Sequence, residues 1–322
     1  MNLGERKETR PAQRMGSPKA GWVIIGGKSV ELFLQLCVSG VAAGSIYALI
    51  AMGYGLIYGT TGEFHVAHGG VFTFSGYIGY LAYEKWGMGL FGAVIAAVFF
   101  AVLAGMLIQT VLYETMRKRQ ASHLSIFIAS LGLLIVLENL SSIIFGYSPL
   151  QFSDQALKNP VTIGSISFTP LQLIIVLFSI LTVLIVLIFL KFSRTGKAIR
   201  GVADSKDMAK IVGMNPAKIN MIVYGLGSAI AAPAAVFLSF DAGATPYRGT
   251  LLVLLAAIAM IIGGIGSAGG AAFAGLLLGL CQNLSVLFVS SQWSNVVTFS
   301  IFLLIIFLIP TGFFGTKVRK KI

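Results

Sequence analysis

The sequence predicts an all-α, polytopic membrane bundle of about eight or nine transmembrane segments, with a broken or re-entrant segment near 58–83. Three observations predict it. Of 322 residues, 57% are hydrophobic and only 11% are charged, whereas a soluble domain carries about 25% charged residues. Mean hydropathy is +0.90. Runs without Asp, Glu, Lys or Arg cover 32–62, 64–83, 86–113, 120–137, 159–190, 219–240 and 249–316, and a spanning helix needs roughly 20 apolar residues.

Taken in order, the candidate helices are 30–58, 66–83, 89–112, 122–145, 170–191, 219–240, 250–262, 270–289 and 294–310. Residues 1–28 are polar and basic and contain Pro11 and Pro18, so they read as a disordered tail. The apolar run that follows is longer than the 7–15-residue core of a signal peptide. The organisation is a tail at 1–28, a membrane domain at 29–316 with a cytoplasmic loop at 192–218, and a basic cytoplasmic tail at 317–322.

Lys and Arg outnumber Asp and Glu by 23 to 11, a net charge of +12. The basic residues cluster at Arg6 to Lys28, Arg117 to Arg119, Lys191 to Lys218 and Lys317 to Lys321. That clustering reads as membrane orientation, with all four clusters cytoplasmic, and not as a nucleic-acid surface. Three segments between Lys28 and Arg117 are then one too many. Either one is broken or the N-terminus is outside. Gly59, Gly62, Gly69, Gly70 and Gly76 favour a break, which is tolerated at membrane depth where protein covers it.

Gly40-x-x-x-Gly44, Gly266-x-x-x-Gly270 and Gly275-x-x-x-Gly279 are small-residue pairs that let helices approach closely. Cys37 and Cys281 lie inside apolar runs and read as small buried residues. Gly264-Ile265-Gly266-Ser267-Ala268-Gly269 fits a dinucleotide pattern. It has apolar flanks and no following acid, so it reads as a cytoplasm-side turn. No phosphate loop is present, so if transport is powered by ATP, the ATP and magnesium are expected on a partner chain and no cofactor on this one.

Glu63, His65, His68 and Gly69 form a polar break in the membrane. Such groups mark a pathway or a pairing partner; the spacing lacks the further ligands a metal needs. Glu138 and Asn139 are further pathway candidates, against an interfacial reading. Asp241 reads as a solvated loop acid and His123 as interfacial. In Ser193–Gly213, Asp204 or Ser205 can cap a helix that ends at Gly213, with Pro216 after it. Met208, Ile211 and Val212 form an apolar stripe opposite Lys206 and Lys210. So short a helix needs a surface to lie on: the membrane, this chain's own helix ends, or a partner's groove.

With these residues in place, the chain resembles the permease subunits of the branched-chain amino acid ABC importers, of the LivH type. The resemblance rests on Gly40–Gly59, Ala67-His68-Gly69, Ser193–Gly213, Gly263–Gly279 and Pro310–Gly315, in that order. It implies a second permease subunit, two ATP-binding cassette subunits and an extracytoplasmic substrate-binding protein, at the inner membrane. It also implies that Ser193–Gly213 docks on the ATPase, with Arg194, Gly196, Arg200, Asp204, Ala209 and Gly213 as the coupling residues.

One stretch departs from the family. Asn-Phe-Ala-His-Gly-Glu is usual where this chain has His65-Val66-Ala67-His68-Gly69-Gly70, and Glu63 is added. Urea and short amides are therefore alternative solutes. Two other classes are weighed: an ATP-independent homo-oligomeric channel or secondary transporter, and a membrane enzyme. The first wants inverted repeats with paired broken helices. The second wants a nucleophile constellation that the sequence does not show.

Overall fold

The computed structural model describes residues 28–315 except 155 and 165. The expected tails at 1–28 and 317–322 thus fall outside the described residues, apart from Lys28.

Helix α1 (Lys28–Thr61) is long enough to cross a bilayer with turns to spare. A break at 62–67 follows, then α2 (His68–Tyr80), which continues through a π turn to Lys85. Next come α3 (Gly89–Ile108), a π turn (Gln109–Tyr113), α4 (Glu114–Lys118) and α5 (His123–Phe145). Strands β1 (Val161–Ile163) and β2 (Ile166–Phe168) form an antiparallel hairpin. Helix α6 (Pro170–Phe192) leads to short helices α7 (Arg194–Asp204) and α8 (Lys206–Ile211). The chain ends with α9 (Pro216–Ala242), α10 (Arg248–Gly263), α11 (Ala268–Leu284) and α12 (Ser294–Leu308).

Among the described residues, seven helices are long and apolar enough to cross a membrane, and α10 is a shorter apolar helix. The hairpin is an addition to the all-α expectation. Its signal was local: β-branched residues flank Gly164, whose φ is +63°.

Helices α1, α9 and α10 form the centre, with α11 against α1. Glycines set the spacing. A Cβ on Gly44 would lie 2.5 Å from the Leu276 carbonyl oxygen, and one on Gly275 would lie 2.7 Å from Ala48 Cα. Gly40 and Gly279 lie on the same α1–α11 seam, and a Cβ on Gly279 would overlap Gly44 Cα. Close backbone approach is what small residues supply where lipid removes the hydrophobic drive between helices. Gly270 abuts Gly263, but Gly266 sits in the 264–267 turn with φ +89° and not on a helix face. Helices α6 and α12 are largely exposed, and side chains such as Phe99, Ile143 and Phe307 form an apolar belt. In water such a surface would associate; in a bilayer it meets its own kind.

Contacts at the two ends of α1 fix its sides, and they correct the orientation expected of Lys28, the one described residue of the first basic cluster. The outer part of α1 pairs with the hairpin: Gln35 Nε2 donates to Ser167 O (2.6 Å), and Ser167 N donates to Gln35 Oε1 (3.0 Å). At its other end α1 meets Lys206, whose Nζ donates to Thr61 O (2.7 Å). Lys28 therefore opens α1 on the face opposite the clusters 117–119 and 191–218. Segments α1, α2 and α3 cross three times in succession, and the odd count is resolved by an outer start. The break at 62–67 is real but separates two crossings. Ten described Lys and Arg residues lie on the inner face and four on the outer, which agrees with the positive-inside rule.

Candidate functional site

The break begins where α1 runs out of helical backbone. Gly62 takes φ +73°, and its N–H bonds Tyr58 O (2.8 Å), a glycine helix stop. Thr60 and Thr61 turn their hydroxyls back to Leu56 O and Ile57 O. The chain re-enters a helix at His68, whose N–H bonds His65 O (3.0 Å).

Gly62 and Phe64 are exposed, but Thr60, Thr61, Glu63, His65 and His68 are buried, so each of these polar groups needs a partner. Glu63 meets Arg117 (Oε1 to Nε, 3.5 Å) and accepts from the Tyr224 hydroxyl (3.2 Å). Arg117 also pairs with Glu114 at 3.5 Å. His65 Nδ1 lies 2.7 Å from the Tyr113 hydroxyl, which donates to Ser130 Oγ at 2.7 Å. With that hydroxyl proton committed, His65 Nδ1 carries the proton it gives to Tyr113. Ser130 Oγ also accepts from Ala67 N–H (3.0 Å), which ties the break to α5. The π turn at Gln109–Tyr113 is what brings Tyr113 here. Burial, with a smaller contribution from His68, holds His65 well below the ordinary histidine value. Burial also lowers the Lys206 ammonium; Glu63 opposes this, and Arg117 and Lys210 add to it.

The expected pathway residues thus divide. Glu63 and His65 are held by the structure's own partners. His68 is buried beside them, its ring 5.5 Å from His65 and 6.1 Å from Tyr54, with neither nitrogen bonded to protein. Gly69 is where α2 touches α10: a Cβ there would lie 2.6 Å from Gly249 O. Glu138 caps α10 from α5, accepting from Thr250 N–H (3.0 Å) and Thr250 Oγ (2.7 Å). Asn139 points away; it is exposed and bonds its own helix at Ile135 O (2.8 Å). Gly70 faces Leu137, whose side chain would lie 2.6 Å from an added Cβ. A glutamate at that position would not fit this packing. The acid of the stretch is at Glu63 instead, in the break that precedes α2.

The second part of the site is Ser193–Gly213, two capped helices. Ser193 Oγ accepts from Gly196 N–H (2.8 Å), and Ser205 Oγ accepts from Met208 N–H (3.3 Å), so Ser205 and not Asp204 caps α8. Gly196 lets α7 close against α6; a Cβ there would lie 2.5 Å from Leu190 O. Ile199, Val202 and Ala209 are buried inward, while Arg194, Arg200 and Asp204 are exposed. Arg200 reaches Lys191 O at 3.4 Å. Gly213 ends the unit with φ +82°. Met208, Ile211 and Val212 are 61%, 75% and 66% exposed, an apolar face at the cytoplasmic side with nothing over it. Elsewhere, Phe313 and Phe314 N–H bond Ile262 O and Gly263 O, which seats the Pro310–Gly315 stretch on the end of α10.

Sequence reasoning missed Tyr113, Tyr224, Ser130, Arg117 and Lys206 as partners of the break. Only the basic character of Arg117 and Lys206 could have hinted at a mate for Glu63.

The family profile described as "Branched-chain amino acid transport system / permease component" matches residues 36–308. The high-affinity branched-chain amino acid transport system permease protein LivH of Escherichia coli K12 is 32% identical over 303 residues. That alignment covers 90% of this chain and 98% of the relative. BraD of Pseudomonas aeruginosa, described in the same terms, is 30% identical over the same shares. A solved structure, PsaBC from Streptococcus pneumoniae in complex with Fab, is 18% identical with a TM-score of 0.43. It covers 87% of this chain and 91% of that one.

Proposed function

The chain belongs to the branched-chain amino acid transport system permease family, and from that premise we propose that it is the membrane-spanning permease subunit of an ATP-driven importer for branched-chain amino acids. It is a multi-pass membrane protein with a transport role. In this reading it sits in the inner membrane, beside a second permease subunit and over two ATP-binding cassette subunits. An extracytoplasmic protein delivers the solute. ATP and magnesium act on the cassette chains, and this chain performs no hydrolysis of its own.

The observation that carries the reading is the α7–α8 unit. Its inner side is fixed to the bundle through Ile199, Val202 and Ala209, and its outer side presents Met208, Ile211 and Val212. An amphipathic helix with its apolar face outward is built to enter a groove. From the opposite side of α8, Lys206 bonds the last carbonyl of α1, next to the break. A push on α8 therefore reaches the end of the central helix and the Glu63–Arg117 pair directly. A bistable bundle shifts when a ligand prefers one of its states; closure of the cassette pair on ATP would supply that preference, and alternating access would follow.

The departures at 65–70 are the argument for urea or amides as solute. They are weakened by the burial of His65 and His68 among protein groups. The test of coupling is Arg200→Glu and Gly213→Pro in the complete importer. The account expects loss of uptake with the protein still inserted. Normal uptake by both variants overturns it.

A further inference from the structure

We infer that a chamber in the outer half of the bundle is a solute site, with Asp241 receiving the α-ammonium group of a branched-chain amino acid. The inference rests on the importer reading and adds the group that is recognised.

The chamber has a volume of about 300 Å³ and lies between α1, α6, α9 and α11, within the size range of small-molecule sites. Asp241 lines it from the last turn of α9, which ends at Ala242. The carbonyl end of a helix carries partial negative charge, so a carboxylate is disfavoured there. Among the described residues, no cation pairs with Asp241 within 4.0 Å. The nearby cations are otherwise engaged. Lys158 lies over the Phe240 ring at 5.5 Å and donates to Phe152 O; Arg248 donates to Thr245 Oγ1 and Ala242 O. Asp241 is thus a solvent-exposed acid at an unfavourable helix position, with no cation within 4.0 Å, at the water-facing side of the cavity.

The remaining walls complete the match. Gln172 uses its Oε1 in the α6 cap, accepting Thr169 N–H, and keeps its NH2 to donate. Asn283 spends one N–H on Gly279 O and retains the other. Ile46, Ile175 and Leu238 supply an aliphatic wall. A carboxylate, two amide donors and an aliphatic wall complement an ammonium, a carboxylate and a branched side chain. Urea or a short amide would leave the charge and the wall without partners. The expectation of a solvated loop acid is corrected in one part: Asp241 is exposed, as a solvated acid would be, but it belongs to the last turn of α9 and lines the chamber.

The test uses the complete importer in membranes. Asp241→Asn is expected to lower leucine uptake about tenfold or more, the scale of a hydrogen bond to a charged group. Insertion should be unchanged, and Asp241→Glu should retain more uptake than Asp241→Asn. Uptake by Asp241→Asn at the native rate overturns the proposal. A second measurement keeps Asp241 intact: Ser39→Cys with Cys37→Ser and Cys281→Ser, labelled from outside by an impermeant maleimide. Slowing by leucine and leucinamide, but not by 4-methylpentanoate, which lacks the ammonium, supports the site. Equal slowing by 4-methylpentanoate, or no slowing by leucine, overturns it. Slowing by leucine in a complex without ATP-dependent uptake would overturn the importer reading and leave this site standing.

Discussion

Breaking the Glu63–Arg117 pair is the sharpest test of how the break is held. The two groups are 3.5 Å apart; Glu63 is 2% exposed and Arg117 is 21% exposed. At an effective dielectric of about 20, the raw attraction is about 4–5 kcal/mol. Desolvation and the partial exposure of Arg117 remove much of it. Glu63→Gln keeps an oxygen for the Tyr224 hydroxyl and removes only the charge. The expected cost is about 2 kcal/mol, with about 1–2 kcal/mol for Arg117→Gln. If the pair is the source of both losses, the double variant costs less than their sum by about 1–3 kcal/mol. Unfolding of the purified protein in mixed micelles, followed by circular dichroism, measures all four corners of the cycle. Additivity within about 0.5 kcal/mol would refute the reasoning and make Glu63 a bystander to Arg117.

Two further predictions concern packing and pH. Gly279→Val drives a side chain into the α1 backbone at Gly44, so it should cost at least about 2 kcal/mol in the same assay, while Gly132→Ala, at a position with open space, should cost far less. His65 titrates well below 6.5 when folded and near 6.5 when unfolded, so the unfolded chain binds the extra proton. Its contribution to stability is constant above about pH 7 and falls as pH drops through 6.5, by up to about 1.4 kcal/mol per unit. A stability–pH profile on wild type and His65→Gln checks this: between pH 6.5 and 5 the variant's fall should be shallower than the wild type's by His65's share.

Much of the bundle was legible because a bilayer imposes a length on every crossing. The charge-free runs returned helix positions within a few residues, from α3 at Gly89 to α12 at Ser294. The glycines at 40, 44, 275 and 279 announced close approach, though not to which helix. The sequence misplaces the start of α1 because the basic tail outweighs a count of three apolar segments; the contacts of α1 with Ser167 and Lys206 decide it, and no local rule reports contacts 132 and 145 positions apart. The break was legible from its glycines. Its partners were not, since Tyr224 lies 161 positions from Glu63 and a tyrosine in an apolar run looks like any other. Asn139 was grouped with Glu138 as a sequence neighbour, but adjacent residues on a helix point about 100° apart. Asp241 reads as a loop acid in the sequence because α9 runs two residues further than the apolar run.

The central claim is that this bundle is one subunit of an ATP-driven importer, coupled through α7 and α8. Its most direct test is gentle affinity purification from the native membrane, with the mass of the intact complex measured. The account predicts an ATPase dimer and a second permease subunit in the complex, released when Met208, Ile211 and Val212 are replaced by Asp. A stable homo-oligomer, complete without an ATPase and unchanged by those substitutions, would contradict it and favour a channel.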